Sequence, residues 1–191
     1  MDYTTLRAAI YQVSKTTSEE DVALLINCAV SRTLKKGGIL LNEGEMCRSF
    51  YLVDRGYLRT YCYKAGVAVN LNFTFEGSYA TNIKSVKSKH VSDLIIEAGE
   101  ETLVWIFNLD TIAEKFESHP NIILFIRRVS TLLFVASEEH SNFFKMYTPT
   151  ERYRYIEKNN PMLLQRIPLS QIASYLGVAR ETLSRIRKKH D

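Results

Sequence analysis

The chain has 191 residues, 46% of them hydrophobic and 24% charged, enough to bury a sizeable core and too apolar for a disordered chain. Its formal charge of +4 is uneven: residues 148–191 hold nine Lys/Arg against four Asp/Glu, and the rest holds 16 against 17. A uniformly basic coat is thereby excluded, and a polyanion partner is expected at the C-terminal end alone.

The opening "MDYTTLRAAIYQ" lacks a basic region followed by an apolar one, so no signal peptide is read. No run approaches 18 consecutive apolar residues, so a cytoplasmic protein without a membrane partner is expected. Cys28, Cys47 and Cys62 are spaced 19 and 15 apart with no C-x-x-C. They read as reduced, partly buried thiols rather than metal ligands.

Residues 4–30 read as helical. Leu6, Ala9, Ile10 and Val13 recur at helical spacing, as do Val22, Leu25, Ile26 and Ala29, with Ser18 and Asp21 as a capping box between the two sets. The period then changes. "GGILLNEG", "SFYLVDRG", "YLRTYCYKAG" and "VAVNLNFTFEG" are short apolar or alternating runs punctuated by glycine. They predict antiparallel strands, with Val69, Leu71, Phe73 and Phe75 on one face of the last. "DLIIEA" (93–98) and "TLVWIFN" (102–108) add two more, completing a compact β-roll. Helical spacing returns in "LDTIAEKFESHP", which Pro120 closes.

A long helix is predicted over 121–147. Ile122, Ile126, Val129, Leu133, Ala136, His140, Phe143 and Tyr147 follow steps of 4, 3, 4, 3, 4, 3 and 4. An unbroken heptad of this length predicts a seam between two copies, with a helix packed only within its own chain as the competing reading. His140 is the awkward member, a hydrogen-bonded or partly wet histidine rather than a ligand. "TPTER" restarts a helix, with Thr148 as N-cap, Pro149 at the first position and Glu151 at the third. The boundary and hinge is placed at 148–150.

The terminal stretch "IASYLGVARETLSRIRKK" reads as two short helices around Gly177. The first buries Ile172, Ala173 and Leu176, and the second buries Leu183 and Ile186. Arg180, Glu181, Ser184 and Arg185 then share the outer side of the second helix. Guanidinium forks can read guanine, and a carboxylate can accept from cytosine N4. Thr182, Arg187, Lys188 and Lys189 are candidate phosphate contacts. The pattern is a helix-turn-helix, an ordinary helical hairpin with a solvated charged face being the bland alternative.

This stretch resembles the helix-turn-helix of the Crp–Fnr family of bacterial transcription regulators. "LKKGGILLNEGEMCRSFYLVDRGYLRTY" (34–61), with Gly38, Gly44 and Gly56 at its turns, resembles that family's cyclic-nucleotide-binding-type β-roll. The order of parts is similar too. The resemblance implies an α+β chain: a β-roll sensor domain over 1–120, a dimerisation helix over 121–147 and a helix-turn-helix domain over 148–191. It implies a homodimer on double-stranded DNA with an inverted-repeat site, with Arg180, Glu181 and Arg185 at base-reading positions and RNA polymerase as a further partner. Ala179 departs from the hydroxyl residue the family often has before its recognition helix, a lost cap of about 1 kcal/mol.

The sensor departs further. Cyclic-AMP-binding members carry Gly-Glu followed by an Arg with Ser or Thr. Here Gly77 precedes Ser78, no arginine occurs from residue 60 to 126, and Asp93 stands near the expected phosphate partner. A half-buried phosphate needs charge-assisted donors, so cyclic AMP is not expected to bind. The candidate effector pocket is Gly77, Ser78, Lys84, Lys87, Lys89, Ser92 and Asp93, its lysines reading first as a solvated loop. The effector is unassigned and no cofactor or metal is expected. Three cysteines fall short of an iron–sulfur cluster, and His90 is a poor haem ligand. The alternatives are a cyclic-nucleotide-responsive regulator with a lysine-based pocket and a cupin-like metalloenzyme. The second lacks a His-x-His, since His90, His119, His140 and His190 are dispersed. Enzyme activity is therefore not expected.

Overall fold

A computed structural model describes residues 3–15 and 17–188. Two helices lead. In α1 (Thr4–Val13), Leu6, Ala9 and Ile10 are buried at helical spacing. The next, α2 (Glu19–Cys28), starts at Ser18, whose Oγ accepts from the Asp21 N–H at 3.1 Å and donates to its carboxylate at 2.7 Å. Asp21 is buried and also accepts from Asn121 Nδ2 at 2.9 Å. These bonds, Ser18 first, hold its pKa below the usual carboxylate value.

Eight strands follow: β1 (Val30–Leu34), β2 (Ile39–Leu41), β3 (Ser49–Arg55), β4 (Leu58–Lys64), β5 (Val67–Thr74), β6 (Tyr79–Ala80), β7 (Ile95–Ala98) and β8 (Thr102–Asn108). They form two antiparallel four-stranded sheets, β1-β8-β3-β6 and β2-β7-β4-β5. Leu34, Leu41, Tyr51, Val53, Leu58, Ile96 and Val104 form one core cluster drawn from both sheets. The centre of β3, Phe50 to Val53, is apolar because both its faces are covered: Tyr51 and Val53 join that cluster, while Phe50 and Leu52 meet helices.

The helical reading to residue 30 stops at Cys28, where β1 takes over. Its sequence "VSRTL" is largely exposed and carries no apolar alternation, so pairing with β8 alone reveals it. The expected face of β5 is also corrected. Register slips between Thr60 and Tyr61 of its partner β4, Val69 and Leu71 are only half-buried, and Asn70 is 4% exposed. A short helix, α3 (Ile83–Ser88), occupies what reads as a loop and is capped by Asn82.

After α4 (Leu109–Lys115) comes α5 (Pro120–Met146), 27 residues long, with Pro120 as its first residue rather than the end of the element before. By length and composition alone it is apolar enough to cross a membrane, with mean hydropathy 1.4 over 18 residues. A core helix passes the same test. The first half of the heptad stripe packs within this chain. Ile122 and Val129 are 0% exposed in the cluster with α1, α2, Phe50 and Phe107, and Ile126 and Leu133 pack against it. Further along, His140 packs on Tyr175 and Phe143 on the C-terminal cluster. The seam reading is corrected for Ile122 and Val129, which the chain buries itself, whereas Ala136 and Tyr147 of the same stripe are exposed.

Gly99 seats the β7–β8 turn against Tyr57. A Cβ at Gly99 would lie 1.9 Å from the Tyr57 ring, whose hydroxyl donates to the Gly99 carbonyl at 3.2 Å. Gly99→Ala should therefore cost about 1–3 kcal/mol in urea unfolding, the usual range for overpacking.

Candidate functional site

The C-terminal unit comprises α6 (Pro149–Asn159), α7 (Pro161–Arg166), α8 (Leu169–Leu176) and α9 (Arg180–Lys188). The capping box at its start is formed: Thr148 Oγ1 accepts from the Glu151 N–H at 3.4 Å, and Glu151 accepts from the Thr148 N–H at 2.8 Å. The backbone bond from Thr148 is the main reason the Glu151 pKa lies below its usual value. Between α8 and α9, Gly177 takes φ 68°, and Val178 N–H bonds the Ala173 carbonyl at 3.0 Å. Ala173 is 2% exposed, and Ile172, Leu176, Leu183 and Ile186 complete the shared core.

That packing turns one side of α9 outward. Arg180, Glu181, Ser184 and Arg185 surround a shallow concavity of about 350 Å³ with Leu169. All four candidate base-reading residues thus share one open surface. Thr182 is half-buried and accepts from Arg185 Nη2 at 3.4 Å. Arg187 and Lys188 are exposed, and Arg187 lies beside Tyr153, whose pKa is raised chiefly by burial. Lys189 and His190 lie outside the described residues.

Contacts centred on Arg152, Arg166 and Asn70, which sequence reasoning missed, tie this unit to the rest. Arg152 donates to the Tyr147 carbonyl at 2.9 Å and to the Leu176 carbonyl at 2.6 Å, spanning the junction read as a hinge. Its guanidinium also lies 4.5 Å from the Phe144 ring centre. Arg166 makes a two-pronged pair with Glu76 at 2.8 and 2.9 Å and a further one with Glu100. Glu76 also accepts from the Gly56 N–H at 2.8 Å. Its carboxylate pKa is lowered on balance: burial raises it, but the Arg166 and backbone bonds outweigh that. On β5, the Asn70 N–H donates to Ser174 Oγ at 3.0 Å and its amide to the Gln171 carbonyl at 3.2 Å, while Arg59 holds the amide oxygen. In the sequence Asn70, Asn72 and Thr74 alternate alike as polar residues, so no local signal marked Asn70 as buried.

The candidate effector residues do not converge. Ser78, Lys84 and Asp93 line a larger cavity of about 900 Å³, whereas Gly77, Lys87, Lys89 and Ser92 do not. Lys84 pairs with Asp93 at 2.7 Å, Lys87 lies 5.5 Å from the Phe134 ring and Lys89 is the C-cap of α3. The lysine-based pocket is corrected on this ground: the short helix fans the three side chains apart. Ser92 instead accepts from Asn82 Nδ2 at 2.9 Å inside the turn. The cavity is bounded by β5, α5 and the C-terminal unit. His140, half-buried there, lies 3.4 Å from the Tyr175 hydroxyl, and burial depresses its pKa. Among the described residues no group of three or more His, Cys, Asp or Glu is placed to hold a metal ion.

Solved structures share this architecture. FixK2 from Bradyrhizobium japonicum superposes with a TM-score of 0.69 at 19% identity, covering 84% of this chain and 83% of FixK2. The c-di-GMP-responsive global regulator CLP from Xanthomonas campestris gives 0.69 at 13% identity, covering 90% and 91%. A protein of Eubacterium rectale assigned to the Crp/Fnr family of transcriptional regulators gives 0.66 at 18%, covering 94% and 86%. No protein-family model and no curated protein matches the sequence. The fold is therefore the Crp–Fnr type: two antiparallel sheets in a roll, a long helix and a C-terminal helix-turn-helix, as the resemblance implies.

Ala179 directly precedes α9, and its carbonyl accepts the Leu183 N–H at 3.1 Å. It offers no side-chain oxygen to the free N–H groups of the first turn. Ala179→Ser should raise unfolding free energy by about 1 kcal/mol, read from the shift of the urea midpoint.

Proposed function

We propose that this chain is a sequence-specific DNA-binding transcription regulator that works as a homodimer. One observation carries the reading: Arg180, Glu181, Ser184 and Arg185 are held on a single open side of α9, with the opposite side packed on α8. A helix so mounted fits the major groove, where guanidinium forks and a carboxylate distinguish base edges. Arg187 and Lys188 extend the basic surface toward the backbone phosphates, and Lys189 follows them in the sequence. The charge asymmetry supports this placement, because the basic excess sits entirely in the C-terminal unit.

The outward face of α5 supports pairing. Leu124, Leu132, Phe134 and Val135 are 38–52% exposed there. Leu124 and Val135 are 11 residues apart, about three helical turns, so they lie along one line. That line lies opposite Ile122 and Val129, with Leu132 and Phe134 on its two flanks, and covering it in a second copy removes apolar surface from water. Two copies so joined bind an inverted repeat whose half-sites lie about 34 Å apart. Cyclic AMP is not the effector: Ser78 stands where an acid would hold a ribose, and the Lys84 charge is already spent on Asp93.

Binding titrations on a selected duplex and its scrambled counterpart test the DNA interface. Arg185→Ala should cost about 1–3 kcal/mol per half-site on the selected duplex and little on the scrambled one. Lys188→Ala should weaken both alike and flatten the salt dependence by roughly one unit per lost phosphate contact. Equal weakening of both duplexes by Arg185→Ala would remove the base-reading role.

Sedimentation tests the pairing face. Leu132→Asp or Val135→Asp should yield a folded monomer, since each buried apolar side chain contributes about 1.5–3 kcal/mol. Val129→Asp should instead unfold the chain, because that side chain is 0% exposed within it. A wild-type monomer at micromolar concentration would sink the dimer.

A further inference from the structure

The C-terminal unit is pinned to the roll of its own chain at two points eight residues apart in the sequence. The first is Arg166, the last residue of α7. Its guanidinium pairs with Glu76 at 2.8 and 2.9 Å and with Glu100, and Glu76 in turn accepts the Gly56 N–H at 2.8 Å. Gly56 lies between β3 and β4, Glu76 between β5 and β6, and Glu100 between β7 and β8, so one side chain gathers three turns of the roll. The Tyr57 and Phe75 rings stand 5.6 and 5.2 Å from the guanidinium carbon, and the Arg166 side chain is 19% exposed. A planar fork paired on both prongs and flanked by rings has little freedom to swing.

The second point is Ser174 in α8. Strand β5 ends its sheet, so the main-chain groups on its outer edge have no strand partner. The Ser174 hydroxyl stands in for one: it accepts from the Asn70 N–H at 3.0 Å and donates to the Ala68 carbonyl at 3.2 Å. The Asn70 amide donates to the Gln171 carbonyl at 3.2 Å and is itself held by Arg59, which lies 3.6 Å from Glu97 with both side chains largely buried. Arg152 adds the tie to the Leu176 carbonyl at 2.6 Å. Ties at separate points restrict rotation of a body as well as its translation, whereas apolar contact alone lets it slide. The open side of α9 is lined by none of these residues.

We propose that Arg166 and Ser174 are positioning residues for DNA recognition: by fixing the C-terminal unit on its own roll they set the distance and angle between the two recognition helices of a dimer, and so the half-site spacing the pair accepts. The inference rests on the regulator reading and deepens it. Two linked helices gain from bivalence only where the second is held at the second half-site. One added base pair moves that half-site about 3.4 Å along the duplex and about 35° around it. A rigid mount rejects the shift, and a loose one follows it with a lower peak affinity.

The full chain is titrated on duplexes carrying one selected half-site, or two at the best spacing and at one base pair more or less. The wild type should lose about 10-fold or more on a shift of one base pair. Arg166→Gln and Ser174→Ala should leave binding to one half-site within about 2-fold, lower binding at the best spacing about 2–10-fold, the scale of one hydrogen bond, and flatten the spacing profile. Arg185→Ala should weaken binding at every spacing and keep the profile's shape. Hydrogen exchange of the Asn70 amide, measured without DNA, should be slow in the wild type and about 2–10-fold faster in both variants. Its acceleration by Arg166→Gln shows that the two points hold one body. If Arg166→Gln fails to fold by circular dichroism, Ser174→Ala carries both readouts. An unchanged spacing profile, equal losses on one and two half-sites, or an Asn70 amide unprotected in the wild type overturns the proposal. A wild type selective for sequence but indifferent to spacing overturns the positioning role alone. A wild type that prefers no duplex removes the regulator reading, and slow Asn70 exchange beside it shows that the docking stands without that reading.

Discussion

The structure depends on the inward face of one helix. Over its 27 residues α5 runs the length of the molecule's internal contacts, and each stretch of its apolar stripe supports a different unit. Ile122 and Val129 anchor the N-terminal helices and the outer face of one sheet. Leu133 and Ala136 line the cavity. His140 and Phe143 meet the C-terminal unit. A rotation of the helix by a fraction of a turn disturbs all three together, because packed interiors respond to displacement as a body. Burial of this face leaves the opposite one, with Leu124 and Val135, exposed.

Docking of the C-terminal unit onto the roll uses mixed chemistry. Apolar contact comes from Tyr57 and Phe73 joining the helix-turn-helix core, with Phe73 and Tyr175 edge to face at 5.5 Å. Around that patch sit polar contacts with defined direction: Asn70 to Ser174 and Gln171, and Arg166 to Glu76 and Glu100. Apolar area supplies attraction without orientation, whereas paired hydrogen bonds at fixed angles select one register. Arg152 adds a third tie, from the end of α5 to the Leu176 carbonyl at the end of α8. The open side of α9 is thereby aimed by contacts made outside α9 itself.

The charge pattern inside the cavity follows from how the C-terminal unit docks. The arginine at its edge, Arg166, arrives from that unit, and two carboxylates of the roll, Glu76 and Glu100, pair with it. What remains is a mostly apolar wall. The same residues that close the molecule therefore also set the polarity of its interior.

Local pattern was enough for the roll, the long helix and the terminal helix pair. Alternation, heptad spacing and capping residues such as Thr148 and Glu151 are short-range signals that survive in a single sequence. Gly177, Leu183 and Ile186 likewise placed the outward side of α9, because a helix's buried face dictates its exposed one. The sequence could not show β1, whose polar residues are strand only through pairing with β8, nor what the heptad stripe packs against. A periodic apolar face states that burial occurs and is silent about the partner. Nor could spacing bring Arg166 to Glu76, 90 residues earlier, or Asn70 to Ser174, 104 residues later. Those contacts, and the cavity they enclose, come from how the sheets and helices stack, and stacking is decided by long-range complementarity that no local window contains.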